Sequence, residues 1–160
     1  MNAEAQRHIS AMKHHLKSEN YKGMSDELEL AYKADPQSAC VNLECGRLMV
    51  AEEEWLAGYN YLCHAIANNN QQNELHPIDL IDAFKMLCEC SSGLDDENLA
   101  YAYASVAITL FGQHCNAEED EDIMDEIMEV IPDEEDVDEN IVEKYINAMQ
   151  TSFPQPGSIK

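Results

Sequence analysis

The sequence predicts an all-α fold built of antiparallel helical hairpins stacked one on the next. Three observations carry this. Apolar residues recur at three- and four-residue spacing along most of the 160 residues. There is no sustained alternation of β-branched and polar residues and no Asn-Gly or Asp-Gly hairpin turn. The periodic stretches are separated by short polar clusters, as helices joined by short loops would be. A chain of this length, 45% apolar, can bury the core of one domain.

The elements follow in order. Helices are expected near 3–18, 22–34, 38–52, 55–68, 77–91 and 96–112, with breaks at Ser18-Glu19-Asn20, Asp35-Pro36, Asn68 to Asn73 and Ser91-Ser92-Gly93. Two more are expected near 119–131 and 137–150. In the first of these, Ile123, Ile127 and Val130, with Met124, Met128 and Ile131, mark an apolar stripe. In the second, Val137, Ile141, Tyr145, Ala148 and Met149 share a face. Pro132 and Asp133-Glu-Glu-Asp136 form the turn between them, with carboxylates placed at the positive end of the second helix dipole. The tail 151–160, with two prolines and a glycine, is expected to be loose. The expected division is helical hairpins over 1–114, an acidic helical pair packed on them over 115–150, and a flexible tail over 151–160.

Helices of this length suggest a repeat. Ala5 to Ser38 overlays Ala39 to Gln72 without gaps. Tyr21 then stands opposite Trp55, Leu28 opposite Leu62, Ala31 opposite Ala65, and Met12 opposite Gly46. With Leu43-x2-Gly46, Trp55, Gly58-x3-Leu62 and Ala65 in one unit, and Tyr21, Leu28, Ala31 and Pro36 in the other, the sequence resembles the tetratricopeptide repeat (TPR) family. The pattern is a packing code: small residues let two helices approach closely and aromatics fill the space beside them. Met24, Met49 and Asn70 depart from it. A third unit fits after a spacer of about eight residues, with Phe84, Leu87, Cys88, Ala100, Ala104 and Ala107 at the corresponding positions. Trp55 is expected to be buried between the first two hairpins, beside Gly46 and Leu62.

The resemblance implies a concave face lined by the first helix of each hairpin, able to receive a peptide or helix. By register its lining includes Lys13 and Lys17, then Cys40, Leu43, Arg47 and Val50. Lys13, Lys17 and Arg47 are three of only nine bases, so their convergence makes them candidate groove ligands for a partner carboxylate.

Charge points elsewhere. The net charge is -23, and Asn116 to Asn140 hold 14 acids without one Lys or Arg. A merely solvated helix mixes signs and gains pairs four residues apart, whereas crowding like charges costs stability. Glu118, Glu119, Asp120, Glu121, Asp122, Asp125, Glu126, Asp133, Glu134, Glu135 and Asp136 are therefore candidate partner-binding residues for a basic protein.

The same balance argues against direct nucleic-acid binding and against anionic membranes. No run approaches a membrane span, and the opening MNAEAQRHISAMKHH has no apolar leader, so a cytoplasmic setting with reduced cysteines is expected. Asp136-x-Asp138-x-Asn140 begins like a calcium loop but offers Ile141 for the glycine and Asn147 for the bidentate glutamate. His8, His14 and His15 and the lone Cys88-x-Cys90 pair complete no zinc set. Neither a phosphate loop nor a Gly-x-Ser-x-Gly elbow is present. The expectation is a non-enzymatic adaptor or chaperone, without cofactor or metal, that binds a protein with a basic surface. The alternative is an acidic mimic of nucleic acid that blocks a DNA- or RNA-binding protein.

Overall fold

A computed structural model describes residues 1–160 and holds eight α-helices and no strand: α1 Ala3–Lys17, α2 Tyr21–Ala34, α3 Ala39–Ala51, α4 Trp55–Gln72, α5 Pro77–Gly93, α6 Glu97–His114, α7 Glu121–Val130 and α8 Glu139–Met149. A 3-10 turn at Glu134–Asp136 links the last two. Short polar side chains start most helices by accepting an otherwise unpaired N–H: Asn2 for α1, Asn20 for α2, Ser38 for α3, Asp96 for α6 and Asp138 for α8. Pro77 opens α5, where a missing N–H costs nothing.

α1 pairs with α2, α3 with α4, and α5 with α6, and successive hairpins stack. The repeat is written into the turns. Glu19, Glu53 and Asp95 all adopt left-handed backbone, at φ 56°, 58° and 60°. The next residue of each turn donates its N–H five residues back, Asn20 to His15, Glu54 to Met49 and Asp96 to Ser91. This is a Schellman closure. Glu19 and Glu53 are one repeat apart; Asp95 lies one repeat plus the eight-residue spacer further on. The spacer becomes helix: α4 has 18 residues against 14 in α2, and α5 has 17 against 13 in α3. That is about one added turn on each.

Two expected breaks therefore lie inside helices. Asn68 to Gln72 continue α4 because the buried Asn69 accepts the Leu75 N–H at 2.8 Å, so the linker folds against the helix end and left-handed Asn73 stops it. Ser91 to Gly93 finish α5, with the Ser91 hydroxyl donating back to the Leu87 carbonyl at 2.7 Å.

The aromatic position that opens each second helix behaves differently at the two seams. A Cβ on Gly93 would lie 2.5 Å from the Trp55 ring, so Trp55 closes over the end of α5 in the third hairpin and is half-buried there. It does not pack between the first two hairpins as expected. Gly46 does pack on Leu62, 2.7 Å from where its Cβ would stand. At the first seam the equivalent Tyr21 is 64% exposed and faces a cleft.

The core divides accordingly. The larger cluster runs from α3 through α8; a smaller one joins α1 and α2 to Val41 and Cys45 of α3. α7 packs on α5 and α6, and α8 packs on α6, rather than the two closing on each other as a hairpin. Ile127 is the fully buried anchor of α7, and Tyr145, also fully buried, anchors α8 beside the buried Val142. Met128 faces outward, 56% exposed. The last ten residues are irregular, but they fold back on the core through Phe153, Pro154 and Ile159.

Candidate functional site

The inner faces of α1, α3 and α5 carry an alternating line of charge. Lys13 stands 3.9 Å from Glu44, Glu44 accepts from Arg47 at 2.9 Å, and Arg47 donates to Asp82 at 3.0 Å. Asp82 meets Lys85 at 3.1 Å, and Lys85 reaches Glu126 of α7 at 2.7 Å. Arg47 also donates to Asp79 at 2.9 Å. The geometry follows from spacing, since Glu44 and Arg47, and Asp82 and Lys85, are three residues apart on one helix face. Three carboxylates around one guanidinium raise the Arg47 pKa against the opposing effect of burial, so it stays charged.

Of the three basic groove candidates, Arg47 thus has its donors directed at the protein's own acids. Lys13 is loosely paired and Lys17 has no ion pair. The ladder's other members were missed when only bases were counted; the carboxylates three residues away were the available signal. α7 packs on α5, and its Glu126 covers Lys85.

A half-open cleft of about 470 Å³ lies at the first seam, among Met12 and Leu16 of α1, Tyr21, Met24 and Leu28 of α2, and Leu48 and Ala51 of α3. Met12 and Met24 occupy the two positions where the repeat code wants small residues. Both line the cleft, with Ala51 on its α3 side and Tyr21 on its α2 side.

The acidic candidates form the opposite kind of surface. Glu118, Glu119 and Asp120 precede α7, Glu121, Asp122, Asp125 and Glu126 lie on it, and Asp133 to Asp136 form the turn beyond. All are exposed except Asp120, which is partly covered and accepts the Asn116 N–H at 2.8 Å. Only Glu126 has a cationic partner. The four carboxylates of Asp133 to Asp136 line one shallow hollow with no apolar neighbour, and Glu134 accepts from the Tyr101 hydroxyl at 3.4 Å.

The titratable interior offers little chemistry. The Cys45, Cys63, Cys88 and Cys90 thiols are pushed up to about 12, chiefly by burial, and so are poor nucleophiles. All six cysteines are free thiols. His8 contacts Glu27 at 2.6 Å and His15 contacts Asn20 at 3.1 Å, so both rings serve hairpin packing. Three or more His, Cys, Asp or Glu side chains do not converge anywhere in a metal-holding geometry. No helix is long and apolar enough to cross a membrane.

No family model and no curated protein sequence matches the chain. Among solved structures, the chain is similar to the N-terminal domain of stress-induced protein-1 (STI-1) from C. elegans, with a TM-score of 0.59 and 12% sequence identity over 81% of this chain and 98% of that one. At that identity the likeness establishes the fold: a short TPR-like stack of helical hairpins.

Proposed function

We propose that this chain is a non-enzymatic protein-binding module, an adaptor or chaperone, whose acidic face takes a partner with a basic surface. One observation carries this reading: of the eleven acidic candidates only Glu126 is ion-paired, while Arg47 in the groove is already surrounded by three carboxylates. A face that keeps ten carboxylates without cations raises its own electrostatic energy. That cost is offset when a partner brings Lys or Arg. A DNA- or RNA-binding protein whose basic surface is blocked by these carboxylates is one case of such a partner. The stacked helical hairpins, a fold shared with the STI-1 domain, offer extended side-chain faces on which a partner can lie.

The experiment uses the full chain as bait and then measures the recovered partner against three forms of the protein. Replacing Glu118, Glu119, Asp120, Glu121 and Asp122 by their amides should slow association far more than it speeds dissociation. Binding should also weaken steeply between 0.1 M and 1 M salt, as the Debye length falls from about 10 Å to about 3 Å. Neutralising Lys13 and Lys17 should change little. An amide variant that binds like wild type would leave the acidic face as a solubilising cap, and the reading fails.

A further inference from the structure

Residues 153–159 fold back over α4, α6 and α8, and side chains from all three helices meet their main chain. Tyr59 of α4 donates its hydroxyl to the Pro154 carbonyl. Asp96, the N-cap of α6, accepts the Gly157 N–H at 2.6 Å. Tyr145 of α8 accepts the Ile159 N–H at 3.3 Å. Between these contacts the segment makes a tight turn, with Ser158 N–H donating to the Gln155 carbonyl at 3.1 Å and Gly157 at φ 75°. Proline second and left-handed glycine third is the composition of a type II turn, so this shape is largely set before docking. Phe153 and Ile159 pack on the core at either end, and Pro154 is buried.

The groups that meet the segment are themselves tied together. The Tyr59 hydrogen is committed to the Pro154 carbonyl, so Tyr103 is the donor in the 2.7 Å bond between the two hydroxyls. Tyr145 donates to Asp96 at 2.6 Å, and Asp96 also accepts the Leu99 N–H at 3.0 Å. Asp96 is only 8% exposed and has no cation beside it, so its stabilisation comes from these donors, one of which belongs to the tail. Main-chain bonds plus two apolar anchors are how a receptor holds a peptide.

We propose that the hollow between α4, α6 and α8 is a recognition site for a short peptide with an aromatic residue, a Pro-Gly turn and a trailing aliphatic residue, and that residues 153–159 are its resident ligand. A partner segment of the same chemistry enters by exchanging with the tail. The site is separate from the acidic face, and its test does not depend on that face binding anything.

The probe is a synthetic peptide of residues 151–160, titrated against the isotopically labelled full chain and against its full-length variant Phe153→Ala/Ile159→Ala. In the wild type the tethered tail competes at an effective concentration on the order of millimolar, so the peptide should bind the variant at least about ten-fold more tightly. In the wild type, excess peptide should move the Gly157 and Ile159 amide resonances towards free-chain positions. Tyr145→Phe, which loses the bond to Asp96, should weaken peptide binding to the variant. Either of two results overturns the proposal: no peptide binding to a variant whose helical circular dichroism is intact, or loss of that helical signal, which would make the segment part of the core.

Discussion

Arg47 on α3 and Asp82 on α5 are joined by two bonds to one oxygen: Nε donates to Asp82 Oδ2 at 3.1 Å and Nη2 donates to the same atom at 3.0 Å. They lie 35 residues apart in sequence, and they set how the inner edge of the second hairpin meets the third. The planar guanidinium reaches Glu44, Asp79 and Asp82 at once, which a lysine cannot do. Replacing Arg47 by Ala should cost about 1–3 kcal/mol, because three acids then face one another without a cation across a partly exposed seam. Arg47→Lys should recover only part of it. Urea denaturation of both variants checks this, and a loss below about 0.5 kcal/mol for Arg47→Ala would mean that the ladder is ornamental.

Gly93 and Gly112 make a contrast within one hairpin. A methyl group at Gly93 meets the Trp55 ring at 2.5 Å, and a fused ring seated on a helix end cannot bend away; nothing lies within 4 Å of the same group at Gly112. Gly93→Ala should therefore destabilise by about 1–3 kcal/mol, overpacking exceeding the gain in helix propensity. Gly112→Ala should stabilise by about 0.5–1 kcal/mol. Melting temperatures that move in the same direction for the two would refute the seam geometry.

Thiol reactivity should sort the cysteines by burial. With a chromogenic disulfide reagent at pH 8, native protein should react at no more than Cys40 and Cys115, the two partly exposed thiols. Cys45, Cys63, Cys88 and Cys90, pushed up to about 12 and closed in by apolar neighbours, should react only after urea is added.

Glu89 predicts a pH effect. Burial raises its pKa above the ordinary carboxylate value, with Lys85 acting in the opposite direction. A carboxyl whose folded pKa lies above its unfolded one holds its proton more tightly in the native state. Its ionisation therefore removes stability as pH rises from the unfolded value through the raised one. The cost is absent below that window and grows as pH rises through it. Glu89→Gln should then be more stable than wild type at pH 7 and equal to it below about pH 4. Denaturation midpoints at the two pH values give the answer.

Much of this molecule was legible in residue spacing. Leu28, Ala31, Leu62 and Ala65 fall at matching repeat positions and are all buried, and Gly46 meets Leu62 as the resemblance implied. The eight-residue spacer was visible as a length, though not as one added turn on α4 and another on α5. The docking of residues 153–159 was not legible, because proline and glycine signal the absence of a helix and Pro156-Gly157 equally signals a turn. The carboxylates around Arg47 escaped the sequence reading because a count of bases ignores their partners. The fold places Glu44, Asp79 and Asp82 around Arg47 and leaves Lys13 loosely paired with Glu44.

By itself the sequence determined what depends on neighbours within a few residues. Helical periodicity and capping side chains are of that kind, as is the crowding of like charge from Glu118 to Asp136. Only the tertiary structure decided which of two chemically similar seams closes: Trp55 finds Gly93, 38 residues on, whereas Tyr21 stays 64% exposed on the side of a cleft. It also decided that α7 packs on α5, with Lys85 held to Glu126, rather than pairing with α8. Local bonds fix themselves at short range. Seams are settled by how volumes fill space and how charges pair between segments distant in the chain, and a linear pattern does not contain those distances.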